Sequence, residues 1–130
     1  MVAALPEALR ERQAAFDKTG GVHAAGLATA PGELLAVRED IGRHNAVDKV
    51  LGAHARTHAP PFDDLVLVVS ARASFEILQK AAMVGVPVVV AVGAPSSLAV
   101  GLAVESGITL VAFARGASFS AYAHPERLGE

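Results

Sequence analysis

The residue types that could handle a charged ligand gather in short clusters: Glu39-Asp40-Ile41-Gly42-Arg43-His44-Asn45, Ser70-Ala71-Arg72-Ala73-Ser74, Gly93-Ala94-Pro95-Ser96-Ser97 and Phe113-Ala114-Arg115-Gly116-Ala117-Ser118. Each follows an apolar stretch that reads as a strand. In an open α/β sheet the ligand crevice lies at the carboxyl ends of the strands, where helix N-termini present free N–H groups. Arg43, Arg72 and Arg115 converging on that edge suit an anionic, phosphate-bearing ligand, because a guanidinium grips phosphate through paired donors. For any one cluster the plainer reading is that Ser and Asp cap helices and Gly turns the chain. The recurrence of such clusters along one edge favours a site.

Other combinations are weaker. His44 and Asp48, four apart on one helix face, could form a general base with its carboxylate, or simply a first-turn salt bridge. His54 and His58 share that spacing, but His58 precedes Ala59-Pro60-Pro61 and has no third ligand nearby, which argues against a metal. Ser70 and Ser74 lack an identifiable base, so capping is the safer role for them. With no cysteine in 130 residues there is no disulfide, thiolate metal site, cysteine nucleophile or persulfide.

The elements that must position these clusters follow from periodicity. Pro6, Leu9 and Phe16 predict an amphipathic helix over 6–18, stopped by Gly20 and Gly21. A hairpin has arms over 22–29 and 33–37 around a turn at Ala30-Pro31-Gly32. A helix is expected over 43–55, with Val47, Val50 and Leu51 on its apolar side. Thereafter strands over 65–69, 87–92 and 108–113 alternate with helices over 74–84 and 96–105. Continuous Val/Leu runs alternating with ten-residue helices mark parallel strands covered on both faces. The last helix is apolar nearly all round (Leu98, Val100, Leu102, Val104) and is expected to be buried in the domain or under a partner subunit.

The expected class is therefore α/β, a β-hairpin feeding a mostly parallel sheet, in one domain over 1–130. At 52% hydrophobic and 18% charged the chain is too apolar for disorder, and it is long enough to bury roughly two-thirds of its extended surface. Eleven basic and thirteen acidic residues, spread along the chain, leave no basic stripe for nucleic acid. The uncharged run from Ala81 to Val104 has the length of a membrane span, but Gly85, Pro87, Gly93, Pro95 and Gly101 break it into strand, turn and helix. Charged residues at Glu7, Arg10, Glu11 and Arg12 stand where a signal peptide needs an apolar core, so the cytoplasm is expected.

Thr19-Gly20-Gly21-Val22-His23-Ala24-Ala25, Arg38-Glu39-Asp40-Ile41-Gly42-Arg43-His44-Asn45-Ala46-Val47-Asp48-Lys49, Ser70-Ala71-Arg72-Ala73-Ser74-Phe75-Glu76, Ala94-Pro95-Ser96-Ser97-Leu98-Ala99 and His124-Pro125-Glu126-Arg127 stand in order along the chain. Together they resemble the C-terminal domain of the formate dehydrogenase accessory sulfurtransferase family (FdhD). The resemblance runs from about Leu5 to Leu128. It implies a cytidine-deaminase-like three-layer α/β/α fold with helices on both faces of the sheet, and a homodimer. The implied ligand is the molybdenum cofactor in its bis-molybdopterin guanine dinucleotide form. The implied partners are a cysteine desulfurase, which gives sulfur, and formate dehydrogenase, which needs the sulfurated cofactor.

On this resemblance the nucleotide-cofactor segment falls on Phe113, Ala114, Arg115, Gly116, Ala117 and Ser118, with Arg115 at a phosphate. Gly42, Arg43, His44, Asn45, Ser70, Arg72 and Ser74 complete the expected cofactor site. The family carries sulfur on a Cys-x-x-Cys loop upstream of the first helix matched here. Relay needs a thiolate to attack and hold the persulfide, and these residues contain none. The zinc-deaminase signature, His-x-Glu with Pro-Cys-x-x-Cys, has no counterpart either, since Ala46 stands two after His44 and cysteine is absent. The expectation is a cofactor-binding portion without transfer chemistry of its own and without zinc. A dimeric adaptor for the desulfurase or a molybdoenzyme subunit is the alternative, and a hydrolase built on His44 and Asp48 is a third reading.

Overall fold

Leu65–Val69 is Leu-Val-Leu-Val-Val, every residue of it buried, and the rest of the molecule is arranged around this strand. The computed structural model describes residues 4–13, 23–29, 33–115 and 118–128. The elements run α1 (Leu5–Gln13), β1 (His23–Thr29), β2 (Leu34–Asp40), α2 (Arg43–Ala55), β3 (Leu65–Val69), α3 (Phe75–Met83), β4 (Val88–Ala91), α4 (Ser97–Ser106), β5 (Thr109–Arg115) and β6 (Ser118–Ala123). A short 3-10 turn, Pro125–Leu128, closes the chain. The expected hairpin turn at Ala30-Pro31-Gly32 and the continuation of the first helix to Lys18 lie outside the described residues.

The sheet order is β2-β1-β3-β4-β5-β6. Parallel pairing is confined to β3–β4 and β4–β5. β1 runs antiparallel to both β2 and β3, and β6 antiparallel to β5. The three-layer α/β/α class holds, but the sheet is mixed rather than mostly parallel. The helical crossovers α2, α3 and α4 all keep strand direction, since β2 and β3 both run antiparallel to the β1 that lies between them, whereas β1 and β6 run against the other four strands.

Two cores follow from the two faces. On one, Val47, Val50 and Leu51 of α2, Ile77, Leu78 and Ala81 of α3, and Ala99 and Ala103 of α4 pack on Leu27, Leu67, Val89 and Leu110. On the other, Leu5 and Leu9 of α1 cover Val66, Val68, Val88, Val90 and Val111. Alternate residues of β3 therefore enter opposite cores, which is why the strand has no polar side. Removing either layer's contacts is costly: Leu67→Ala is worth about 2–5 kcal/mol.

Three departures from the sequence expectation have physical reasons. β2 runs on through Arg38, Glu39 and Asp40, because an edge strand can carry charged, half-exposed side chains. β6 was not anticipated, since Ser-Phe-Ser-Ala-Tyr-Ala has neither a β-branched run nor a dense apolar one. In α4 the buried stripe is the small pair Ala99 and Ala103, while Leu98 and Val104 are 69% and 54% exposed. Within the chain, that helix is half-uncovered. The uncharged run from Ala81 to Val104 resolves into the end of α3, β4 and most of α4, and among the described residues no helix is long and apolar enough to cross a membrane.

Candidate functional site

The carboxyl ends of β3, β4 and β5 are stitched into one wall. Beyond β3, Ser70 N–H donates to the Ala24 carbonyl at 3.0 Å, and Ser70 Oγ accepts from the Ala24 N–H at 2.9 Å. That double link fixes the loop to β1 and commits the serine oxygen. Ala73 N–H donates to Ala94 O (3.1 Å) and Ser96 N–H to Ala73 O (3.0 Å), so the N-termini of α3 and α4 lie side by side. Gly93 N–H reaches Ala71 O and Phe113 N–H reaches Gly93 O, both at 3.2 Å. Both serine caps form: Ser74 Oγ accepts from Ile77 N–H at 3.4 Å and Ser96 Oγ from Ala99 N–H at 3.1 Å.

Because β1 runs antiparallel, its first residue, His23, comes to this same edge, opposite Asp40. His23, Arg43, Ser70, Ala71, Arg72, Val92 and Gly93 line an open pocket of about 330 Å³. No carboxylate is among them. Neither Arg43 nor Arg72 forms an ion pair among the described residues. Arg43 Nε is shielded from solvent and has no hydrogen-bond acceptor among the described residues. A buried guanidinium N–H without an acceptor is costly, and an anion in the pocket would supply one. A smaller hollow of about 100 Å³ adjoins, between the Ser74 and Ser96 caps, and Arg72 belongs to both.

The start of α2 is held by Asp40. Its Oδ1 accepts from Gly42 N–H at 2.9 Å and its Oδ2 lies 2.7 Å from Lys49 Nζ. The Lys49 ammonium, and then the Gly42 N–H, hold this carboxyl down to about 2. Gly42 itself caps α2 with no side-chain bond. His44 Nε2 lies 3.1 Å from Ser74 Oγ and 3.9 Å from Glu76 Oε1, tying α2 to α3. Ser74 Oγ accepts from Ile77 N–H and still has a proton and a second lone pair to offer Nε2, so the contact accommodates either imidazole tautomer.

The expected His44–Asp48 pair is not formed. Asp48 is turned to Lys80 at 2.8 Å, and the partner sequence spacing could not reveal is Ser74, which supplies His44 from a different helix. His54 and His58 are stacked, centroids 4.3 Å apart with ring planes 1° apart, and Phe62 meets His54 edge-on. Imidazole lone pairs lie in the ring plane, so stacked parallel rings do not aim at a common cation. No group of three or more potential metal ligands occurs among the described residues.

Of the expected cofactor residues, Gly42, Arg43, His44, Asn45, Ser70, Arg72 and Ser74 thus come to one edge. Phe113 adjoins them through Gly93, with φ of 54°, a 45% exposed side chain, and its ring 6.3 Å from that of Tyr122. Ala114 follows it in β5, with its methyl group fully buried in the α1-side core. Arg115 closes β5, but its side chain and that of Ser118, with Gly116 and Ala117 entirely, lie outside the described residues. Four lining residues, His23, Ala71, Val92 and Gly93, lie outside the expected cofactor set. Ala71 and Gly93 stood in the polar clusters of the sequence and Val92 at the end of an expected strand, whereas His23 was hidden by the direction of β1.

The FdhD/NarQ family profile matches residues 1–129. A sulfur carrier protein FdhD of Corynebacterium efficiens is 61% identical over 123 residues, covering 95% of this chain and 44% of that one. The chain spans about half the length of the curated relatives it matches. Among solved structures, a formate dehydrogenase accessory protein from Desulfotalea psychrophila superposes with a TM-score of 0.84 at 35% identity, over 97% of this chain and 57% of that one. A mutant of the protein NE0047, crystallised with 8-azaguanine, superposes with a TM-score of 0.66 at 19% identity, covering 88% of this chain and 78% of its own. That second likeness concerns the fold alone.

Proposed function

The chain belongs to the FdhD/NarQ family, and from that premise we propose that these residues bind the molybdenum cofactor, in its guanine dinucleotide form, within a formate dehydrogenase accessory protein. The observation that carries this reading is a pocket with no acid among its described lining residues, beside an Arg43 Nε that has no acceptor among the described residues. The nucleotide end brings phosphates, the one ligand chemistry that a pair of unpartnered guanidiniums suits best. Phe113, one strand along, offers an exposed ring against which a planar heterocycle can stack.

When bound, the cofactor supplies the metal that receives sulfur. The chain's residues bind and orient it: Arg43 and Arg72 neutralise phosphate, Asp40 and Lys49 fix the entry of α2, and the Ser70–Ala24 links hold the β3–α3 loop. No residue from 1 to 130 carries a thiol, so a persulfide has to be delivered from cysteines outside them, matching the Cys-x-x-Cys loop of the family resemblance. A cysteine desulfurase as donor, formate dehydrogenase as recipient, a homodimer and a cytoplasmic setting belong to the same proposal.

GDP stands in for the nucleotide end in the test. Calorimetry should find saturable GDP binding, weakened about tenfold or more by Arg72→Met. Absence of saturation at millimolar GDP overturns the reading. The exposed Leu98, Val104 and Met83 favour the second one, a dimeric adaptor. It requires desulfurase or dehydrogenase binding that survives Arg72→Met but not Leu98→Lys.

A further inference from the structure

We infer that the groove between α2 and the edge strand β2 is a docking surface for an acidic segment of a partner protein, with carboxylates held by Arg38 and Arg56 and an apolar side chain beside Leu35. Two hollows make it up. One, of about 410 Å³, is lined by Arg38, Asp48, Lys49, Gly52, Ala53 and Arg56. The other, of about 420 Å³, continues past Arg38 and Ala53 to Leu35 and the stacked rings of His54 and His58. Neither shares a lining residue with the pocket beside Arg43 and Arg72.

Charge selects the occupant. Asp48 lies 2.8 Å from Lys80 and Lys49 lies 2.7 Å from Asp40, so these four charges cancel in pairs. Arg38 and Arg56 form no ion pair among the described residues. Arg38 spends one N–H on the Val37 carbonyl, and its other donors remain for a ligand. Two uncompensated guanidiniums flank the groove of a chain whose net charge is −2, an arrangement that grips carboxylates bidentately. A simple anion would leave the second hollow, with its 46% exposed Leu35, uncovered. Nucleic acid would call for a longer run of cations. Gly52 supplies an independent observation. Apart from proline, glycine is the poorest residue for a helix interior, yet a Cβ on Gly52 would meet nothing within 4 Å. No described residue of this chain requires a glycine there, whereas a segment lying against α2 does.

Panning a displayed library of random dodecapeptides on the whole chain tests this, with fluorescence anisotropy to titrate the peptides it enriches. They should carry Asp or Glu beside an apolar residue, and Arg56→Glu, alone or with Arg38→Glu, should weaken them about tenfold or more. Gly52→Leu should weaken them as much while leaving Tm unchanged or raised, because leucine suits the helix and meets no neighbour. Arg72→Met and Leu98→Lys should have no effect. Enrichment of neutral or basic peptides, no enrichment, or acidic peptides whose binding survives Arg56→Glu and Gly52→Leu overturns the docking surface. Loss of binding in Arg72→Met or Leu98→Lys alone also overturns it, moving the contact to the carboxyl-edge pocket or to α4. Displacement of the peptide by an equal concentration of a single-stranded oligonucleotide overturns it in favour of nucleic acid.

Discussion

Asp40 shows how much a single carboxylate can organise. It receives the Gly42 N–H, pairs with Lys49 and thereby sets the entry of α2, the helix that carries Arg43 to the pocket. Its carboxyl is held at about 2 against an ordinary 3.8, so the folded state binds its proton more weakly than the unfolded one. The stabilisation is complete above pH 3.8 and fades as pH falls towards 2. Asp40→Asn should flatten the dependence of unfolding on pH across that window, as read by urea midpoints. His54 works in the opposite pH region. Burial, reinforced by the neighbouring His58 and opposed by Asp64, lowers its value below 6.5. Protonation therefore favours the unfolded chain, and stability declines as pH drops below about 6.5. His54→Phe, which keeps the edge contact with Phe62, should remove that decline between pH 7.5 and 5.5 in thermal melts; an unchanged slope would place the acid lability elsewhere. At this scale residue types were legible and partners were not. The sequence pairs His44 with Asp48 by spacing, but the fold gives each a partner from α3, Ser74 and Lys80.

Elements built on dense patterns were read almost to the residue. α2 over 43–55 and β3 over 65–69 match because their apolar periods are unbroken and end at clear turns. The two edge strands were not legible to the same degree, since neither buries a full face. β2 is instructive because its polar tail has a task. Ala24 spends both backbone groups on Ser70, towards β3, so its cross-strand partner Glu39 turns its carbonyl outward. Lys49 Nζ covers that carbonyl at 3.0 Å and Arg38 Nη1 covers that of Val37 at 2.8 Å. Cations lying over the free carbonyls of an edge strand guard it against pairing with another chain. Replacing Arg38 and Lys49 together by Ala should leave the core intact by circular dichroism while light scattering shows faster self-association on warming; unchanged scattering would assign the protection to the Leu27/Ala28 bulge instead.

At the scale of the whole molecule, net charge and local charge point in opposite directions. The chain carries a formal −2, which alone would repel a nucleotide. The sheet topology overrides this locally, bringing Arg43, Arg72 and His23 together from three separate stretches of sequence, with no acid among the described residues of the pocket wall. Strand direction did this, and it is the one feature that composition could not express: β1 had to be antiparallel for His23 to arrive. Screening then separates the two contributions. The Debye length falls from about 10 Å at 0.1 M salt to about 3 Å at 1 M. Attraction by the pocket arginines is therefore weakened by salt, while repulsion from the distant net charge is weakened too. If the arginines dominate, raising NaCl from about 0.05 to 0.5 M should loosen GDP severalfold, and Arg72→Met should lose most of that salt dependence together with its affinity. GDP affinity that holds steady or rises with salt would mean that the base, stacked near Phe113, carries the binding and that the arginines serve another ligand.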